Sequence, residues 1–142
     1  MPKSGITFCV EDNLDFSLQK ETKVKSWIKK AIKQEGKTAG NISCFFCTDD
    51  YLIKVNRQFL NHDFYTDIIT FDYSENKKIE GEIFISIERV KENAKTFKQA
   101  FQKELMRTII HGVLHLCGYK DKTPTDKKRM RIKEEEALAL SL

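Results

Sequence analysis

Long apolar runs are missing from this sequence. No window of the 142-residue chain approaches the eighteen or more uninterrupted apolar residues of a membrane-spanning helix. The stretch MPKSGITFCVEDN lacks the charged-then-apolar layout of a secretory signal, because acidic residues follow after only a few apolar ones. The expectation is a soluble, cytoplasmic protein with no membrane partner. Repeats, low-complexity tracts and Gly/Ser linkers are absent too, so residues 1–142 read as a single domain. A hydrophobic content of 40% suits one core at this length.

A second cysteine pair is also lacking. Cys44 and Cys47 form a CxxC, with Cys9 and Cys117 far from it in sequence. A zinc ribbon needs two such pairs. NISCFFCT reads as a strand, which points residues three apart to opposite faces, so reduced core cysteines are expected. Charge of one sign does not dominate: 25 Lys+Arg against 21 Asp+Glu give a net +4, which permits an anionic partner such as RNA without requiring one. The basic run DKKRMRIK (126–133), followed by EEE, fits either a solvated helix face or a phosphate-contacting patch.

The elements that are present follow from periodicity. GITFCVE (5–11) and GNISCFFCT (40–48) read as strands, and TDIITFDY (66–73) with IEGEIFISI (79–87) reads as a hairpin. TKVKSWIKKAIKQEGK places Val24, Trp27, Ile28, Ala31 and Ile32 on one helical face. TDDYLIKVNRQFL follows a cap at Thr48 or Asp49, with Leu52, Val55 and Phe59 on its apolar side. SIERVKENAKTFK and FQKELMRTIIHGVLHLCG read as helices. A last helix is announced by Thr123 as cap, Pro124 at its first position and Asp126 three residues after the cap. Strands early and helices late make this an α+β chain.

Histidine is scarce, and two of the three lie in HGVLHLCGYKD (111–121). His111 and His115 at i and i+4 share one helical face, so two ring nitrogens can reach one zinc. Gly118 can end that helix through a left-handed turn that swings the chain back. Asp121, ten residues after the first histidine, then faces the same point. Two histidines and one carboxylate leave a tetrahedral position open, as catalytic zinc sites do, where a metal acidifies water and polarises a carbonyl or phosphoryl oxygen. Zinc peptidases of the HExxH type carry a glutamate after the first histidine as general base. Here that residue is Gly112. Cleavage of phosphodiesters needs that base less, because metal and cations carry the charge. Cys117 points away from His115 on a helix and is expected to pack inward. His62, in LNHDFYTD, is either an exposed loop residue or a cleft residue that contacts phosphate.

These residues resemble the YbeY endoribonucleases of bacterial ribosomal RNA maturation. HGVLHLCGYKD is similar to the family signature HGxLHLxGYDH through Tyr119. VNRQFLNHDFYTDIITFDY resembles its Asn, Thr-Asp and aliphatic-strand segment, and EGEIFIS its Gly-Asp-Ile strand, with Glu82 for the usual aspartate. RM within KKRMRIKEEE also fits. The likeness spans about residues 48 to 140. It implies a small mixed four-stranded sheet packed with about five helices, in a zincin-like metal-dependent hydrolase architecture. It implies one zinc ion held by His111, His115 and Asp121, and no small-molecule organic cofactor. The implied activity is single-strand-specific endoribonuclease action in maturation of small-subunit ribosomal RNA and in ribosome quality control. The implied partners are ribosomal RNA, the small ribosomal subunit with one of its proteins, and an assembly GTPase.

The chain departs from the family pattern twice. Asp121 stands where the third ligand is usually histidine, preceded by Lys120 for the common aspartate; a carboxylate makes the site less cationic. Leu60 stands where many members carry an arginine important for activity, and Arg57, one turn earlier, is the candidate substitute. Two other readings compete: a ribosome-assembly binding factor whose metal is structural, and a metallopeptidase with a base supplied by another residue such as Glu82.

Overall fold

The structure is a computed structural model and describes residues 5–61 and 66–140. Its elements run β1 (Ile6–Val10), α1 (Glu21–Gln34), β2 (Thr38–Cys47), α2 (Asp49–Leu60), β3 (Ile68–Asp72), β4 (Lys78–Ser86), α3 (Ile87–Thr96), α4 (Phe101–Leu116) and α5 (Pro124–Ala139). The fold is α+β: a four-stranded mixed sheet in the order β1-β2-β4-β3 with five helices. β1 and β4 both pair with β2 in parallel, while β3 runs antiparallel to β4 at the edge. The expected hairpin is present, although its two strands form only one side of a parallel-centred sheet.

Strand alternation divides the core into two unequal parts. Ile42, Cys44, Phe46, Ile83 and Ile85 face an inner layer built from α1, α3, α4 and α5. Phe45, Cys47, Ile69, Phe71 and Phe84 face outward, where α2 supplies Leu52 and Val55. Cys44 and Cys47 therefore lie in different cores, as expected of a strand, and burial pushes both thiols up to about 12. Cys117 packs into the inner core, and its thiol rises to about 11 for the same reason. All five residues read as the apolar face of α1 are buried. Trp27 closes that layer, its indole N–H donating to the Ala137 carbonyl of α5 at 2.8 Å.

Phe59 corrects the reading of α2. Instead of lying on the buried side it is 62% exposed, and among the described residues its ring meets Phe71 edge-on. No helix among the described residues is long and apolar enough to cross a membrane.

α4 lies across the inner face, and its approach to β3 and β4 is set by Gly112. A Cβ added there would meet Ile83 Cγ2 at 2.8 Å and Ile68 Cδ1 at 2.9 Å. The residue after the first histidine is small because the sheet lies directly beneath it. Gly112→Ala is expected to lower unfolding free energy by about 1–3 kcal/mol through overpacking, read from urea denaturation. An unchanged urea midpoint would contradict the tight contact. Native protein treated with a thiol reagent is expected to modify Cys9 alone, since it is exposed while the other three are buried. All four should react in denaturant.

Candidate metal centre

α4 ends as the sequence predicts. Cys117 closes it, Gly118 adopts φ 108°, and the N–H groups of Gly118 and Tyr119 bond the carbonyls of His115 and Leu114 at 3.0 Å. This pair of bonds is a Schellman turn, which reverses the chain with little strain at glycine. The Tyr119 side chain anchors the turn through a hydroxyl bond to Glu35 at the end of α1, with Lys133 above its ring. The loop then reaches Thr123, which with Asp126 forms a complete capping box at the start of α5. Asp121 sits between these two fixed helix ends.

Three ligand-type atoms meet at the resulting cleft. His111 Nε2 lies 3.0 Å from His115 Nε2 and 3.1 Å from Asp121 Oδ2, and His115 Nε2 lies 3.3 Å from the same oxygen. The far nitrogen of each ring is already engaged. His115 Nδ1 is 3.0 Å from the Tyr119 carbonyl, an acceptor only, so that nitrogen carries the proton. His111 Nδ1 is 2.6 Å from Glu134 Oε2, and the same argument applies. Two imidazole Nε2 atoms and a carboxylate oxygen thus converge on one point, an arrangement that a shared cation would satisfy. A tetrahedral ion with bonds of about 2.0–2.1 Å separates its ligands by about 3.3 Å, close to the spacing here. The donor set and its geometry fit a divalent metal, and these three residues form a group that could hold one.

The electrostatics reinforce this arrangement. Burial of His111 alone would push its pKa down, yet the bond to Glu134 and the charges of Glu134, Asp121 and Asp67 carry it above its ordinary value. Burial raises the carboxyl of Asp67, against a lowering pull from His111. The cleft has a volume of about 390 Å³, and Thr66, Asp67 and Thr70 form its β3 wall opposite the histidines. Two segments that resembled one family's motifs, 45 residues apart, therefore share one cavity.

Sequence reasoning missed two residues. Glu134 belongs to the EEE run, and neither reading of that stretch gave it a place in the metal centre, but its side chain is only 7% exposed. It shares a helical face with Met130 and Ala137, the other two buried residues of α5, and that i, i+4, i+7 spacing was the available signal. Arg107 stands one turn before His111 on α4. Its Nη1 donates to Glu134 Oε1 at 3.1 Å and its Nη2 to Glu135 Oε1 at 2.8 Å. Arg107 thus fixes Glu134, which fixes His111.

Other candidates fall elsewhere. Arg57 is exposed on α2, the helix of the outer face, and is not among the described residues that line the cleft. Leu60 ends the same helix, half-exposed. Glu82 points to the outer face, where its carboxylate accepts from the Tyr73 hydroxyl at 2.9 Å, so the sheet separates it from the histidines. His62 lies outside the described residues.

Fold and site together define an α+β protein of a recognisable class: one with a two-histidine, one-carboxylate group at the floor of an open cleft. The profile of the endoribonuclease YbeY family matches residues 10–141. The endoribonuclease YbeY of Flavobacterium psychrophilum is 52% identical over 127 residues, covering 89% of this chain and 91% of the relative. That of Christiangramia forsetii is 50% identical over 140 residues, covering 99% and 96%. The solution structure of TM1509 from Thermotoga maritima superposes with a TM-score of 0.65 at 27% identity, over 94% of this chain and 86% of that one. The chain belongs to the YbeY endoribonuclease family, and RNA is the substrate class that membership carries.

Arg107→Ala is expected to destabilise the protein by about 2–4 kcal/mol, because it takes the nearest guanidinium from buried Glu134. Chemical denaturation measures this, and a loss below about 0.5 kcal/mol, the range of an ordinary surface substitution, would show that Glu134 does not depend on Arg107.

Proposed function

We propose that this chain is a metal-dependent endoribonuclease that cuts single-stranded segments of small-subunit ribosomal RNA in the cytoplasm, in rRNA maturation and ribosome quality control. Family membership supports RNA cleavage. The observation that carries the metal dependence is the convergence of the two Nε2 atoms and Asp121 Oδ2 while both Nδ1 positions are engaged. His111, His115 and Asp121 hold one divalent ion, and their nitrogen and oxygen donors suit zinc. Such an ion, when bound, supplies Lewis-acid polarisation of a phosphoryl oxygen and acidifies water at its open position.

The chain supplies the rest. The Tyr119 carbonyl and the Glu134 carboxylate hold the two imidazoles in the tautomer whose Nε2 is free. Asp121 closes the set from a loop pinned at both ends. Thr66 and Thr70 offer hydroxyls on the opposite wall, where a ribose-phosphate strand can be held by hydrogen bonds. The open cleft admits a single strand, and no organic cofactor is required for hydrolysis. Ribosomal RNA, the small subunit and its assembly factors are the partners of this reading.

Peptide hydrolysis is disfavoured on two grounds: Gly112 leaves no room for a base, and Glu82 faces away from the cleft. The test is metal analysis with His115→Ala. Wild-type protein should carry about one divalent ion per chain. The variant should lose it and lose at least about 100-fold in cleavage of single-stranded RNA, while its circular dichroism stays native. Full cleavage by metal-free protein would overturn the proposal. Loss of thermal stability on chelation, with no cleavage by the loaded protein, would favour the assembly-factor reading instead.

A further inference from the structure

A second groove opens beside the metal cleft, with a volume of about 310 Å³. It shares His111, Asp121 and Glu134 with the cleft and adds Lys127, Met130 and Arg131 from α5. Lys127 and Arg131 stand at i and i+4, so they lie on one face, about 6 Å apart along the axis. Lys127 makes no ion pair among the described residues. Arg131 is 60% exposed, and its one ion pair there is with Glu134 Oε1 at 3.8 Å, an oxygen that Arg107 already occupies at 3.1 Å. The two cations therefore stand beside the metal cleft, Lys127 without an ion pair among the described residues and Arg131 with a long one only. This separates them from Lys133, which pairs with Glu35 and Glu136.

We infer that Lys127 and Arg131 form a phosphate-binding subsite that holds the RNA backbone next to the scissile phosphate. The inference rests on the endoribonuclease reading above and adds where the strand leaves the cleft. A strand placed at the histidines must continue past one rim, and this rim carries the exposed cations Lys127 and Arg131 in a groove continuous with the site. Asp121 and Glu134 are the groove's acidic members. Glu134 is shielded by Arg107, and Asp121 points toward the histidines. The spacing of one helical turn suits neighbouring phosphates, and backbone contacts of this kind position a strand without reading its sequence.

The experiment is fluorescence anisotropy with a short 2′-O-methyl oligoribonucleotide, titrated against the full chain over a range of salt and checked on a gel to be intact after each titration. The double variant Lys127→Ala/Arg131→Ala should bind about tenfold or more weakly at low salt, and its log–log salt slope should fall by about 0.7 for each lost contact. The loss should be equal for homopolymer and mixed sequences. The charge-conserving Lys127→Arg/Arg131→Lys should keep wild-type affinity. Lys91→Ala/Lys95→Ala, which removes two exposed charges from α3, serves as the control. In cleavage assays the first variant should raise KM with little change in kcat. Wild-type binding by the double variant, or an equal loss in the α3 control, would overturn the subsite. Because binding is read without cleavage, absence of nuclease activity in the wild type would count against the function while leaving the subsite result readable.

Discussion

The contact between α4 and the sheet at Gly112 governs the geometry of everything above it. A helix that must carry two histidines toward solvent also has to bury its opposite side against Ile68 and Ile83, and these leave no space for a side chain at the crossing point. The flanking imidazoles emerge at a height set by that contact. β3 then stands close enough to α4 to form the second wall of the cleft, which brings Thr66 and Asp67 opposite the histidines. One missing Cβ thus determines the width of the site.

The second determinant is a run of charges through the α4–α5 contact. Glu134 would be costly to bury alone, and Arg107 offsets that cost while Glu135 secures the far side of the guanidinium. The result is a carboxylate held at 2.6 Å from an imidazole nitrogen with little freedom to rotate. On the other histidine a backbone carbonyl performs the same task, so the two rings are oriented by different means, one through side-chain packing and one through a turn. Pre-orientation of this sort removes reorganisation from the chemical step.

Much of this was legible in the sequence. Helical spacing gave the buried face of α1 residue by residue, and the TPTD cap located the start of α5 because capping is chemistry within a few residues. The i, i+4, i+10 pattern in HGVLHLCGYKD located the three converging side chains, since a helix followed by a glycine turn has nearly fixed geometry. What escaped was non-local. Glu134 sits among charged neighbours, and only the packing of α5 on α4 separates it from Glu135 and Glu136. Phe59 differs for the opposite reason: periodicity identifies a face but not how far along it the burial extends. Strand order was equally hidden, because β1 and β4 reach β2 by crossovers that local pattern does not encode.

The segment between α4 and α5 behaves as a tether of fixed length. Gly118 sets its departure and Thr123 its arrival, each through hydrogen bonds that belong to a helix end, which leaves four residues to span the gap. The position of the Asp121 carboxylate is therefore written in residue count as much as in residue type. Another donor side chain at residue 121 would reach the same point while the spacing holds. Insertion or deletion of a single residue would move the donor off the convergence point without touching either histidine.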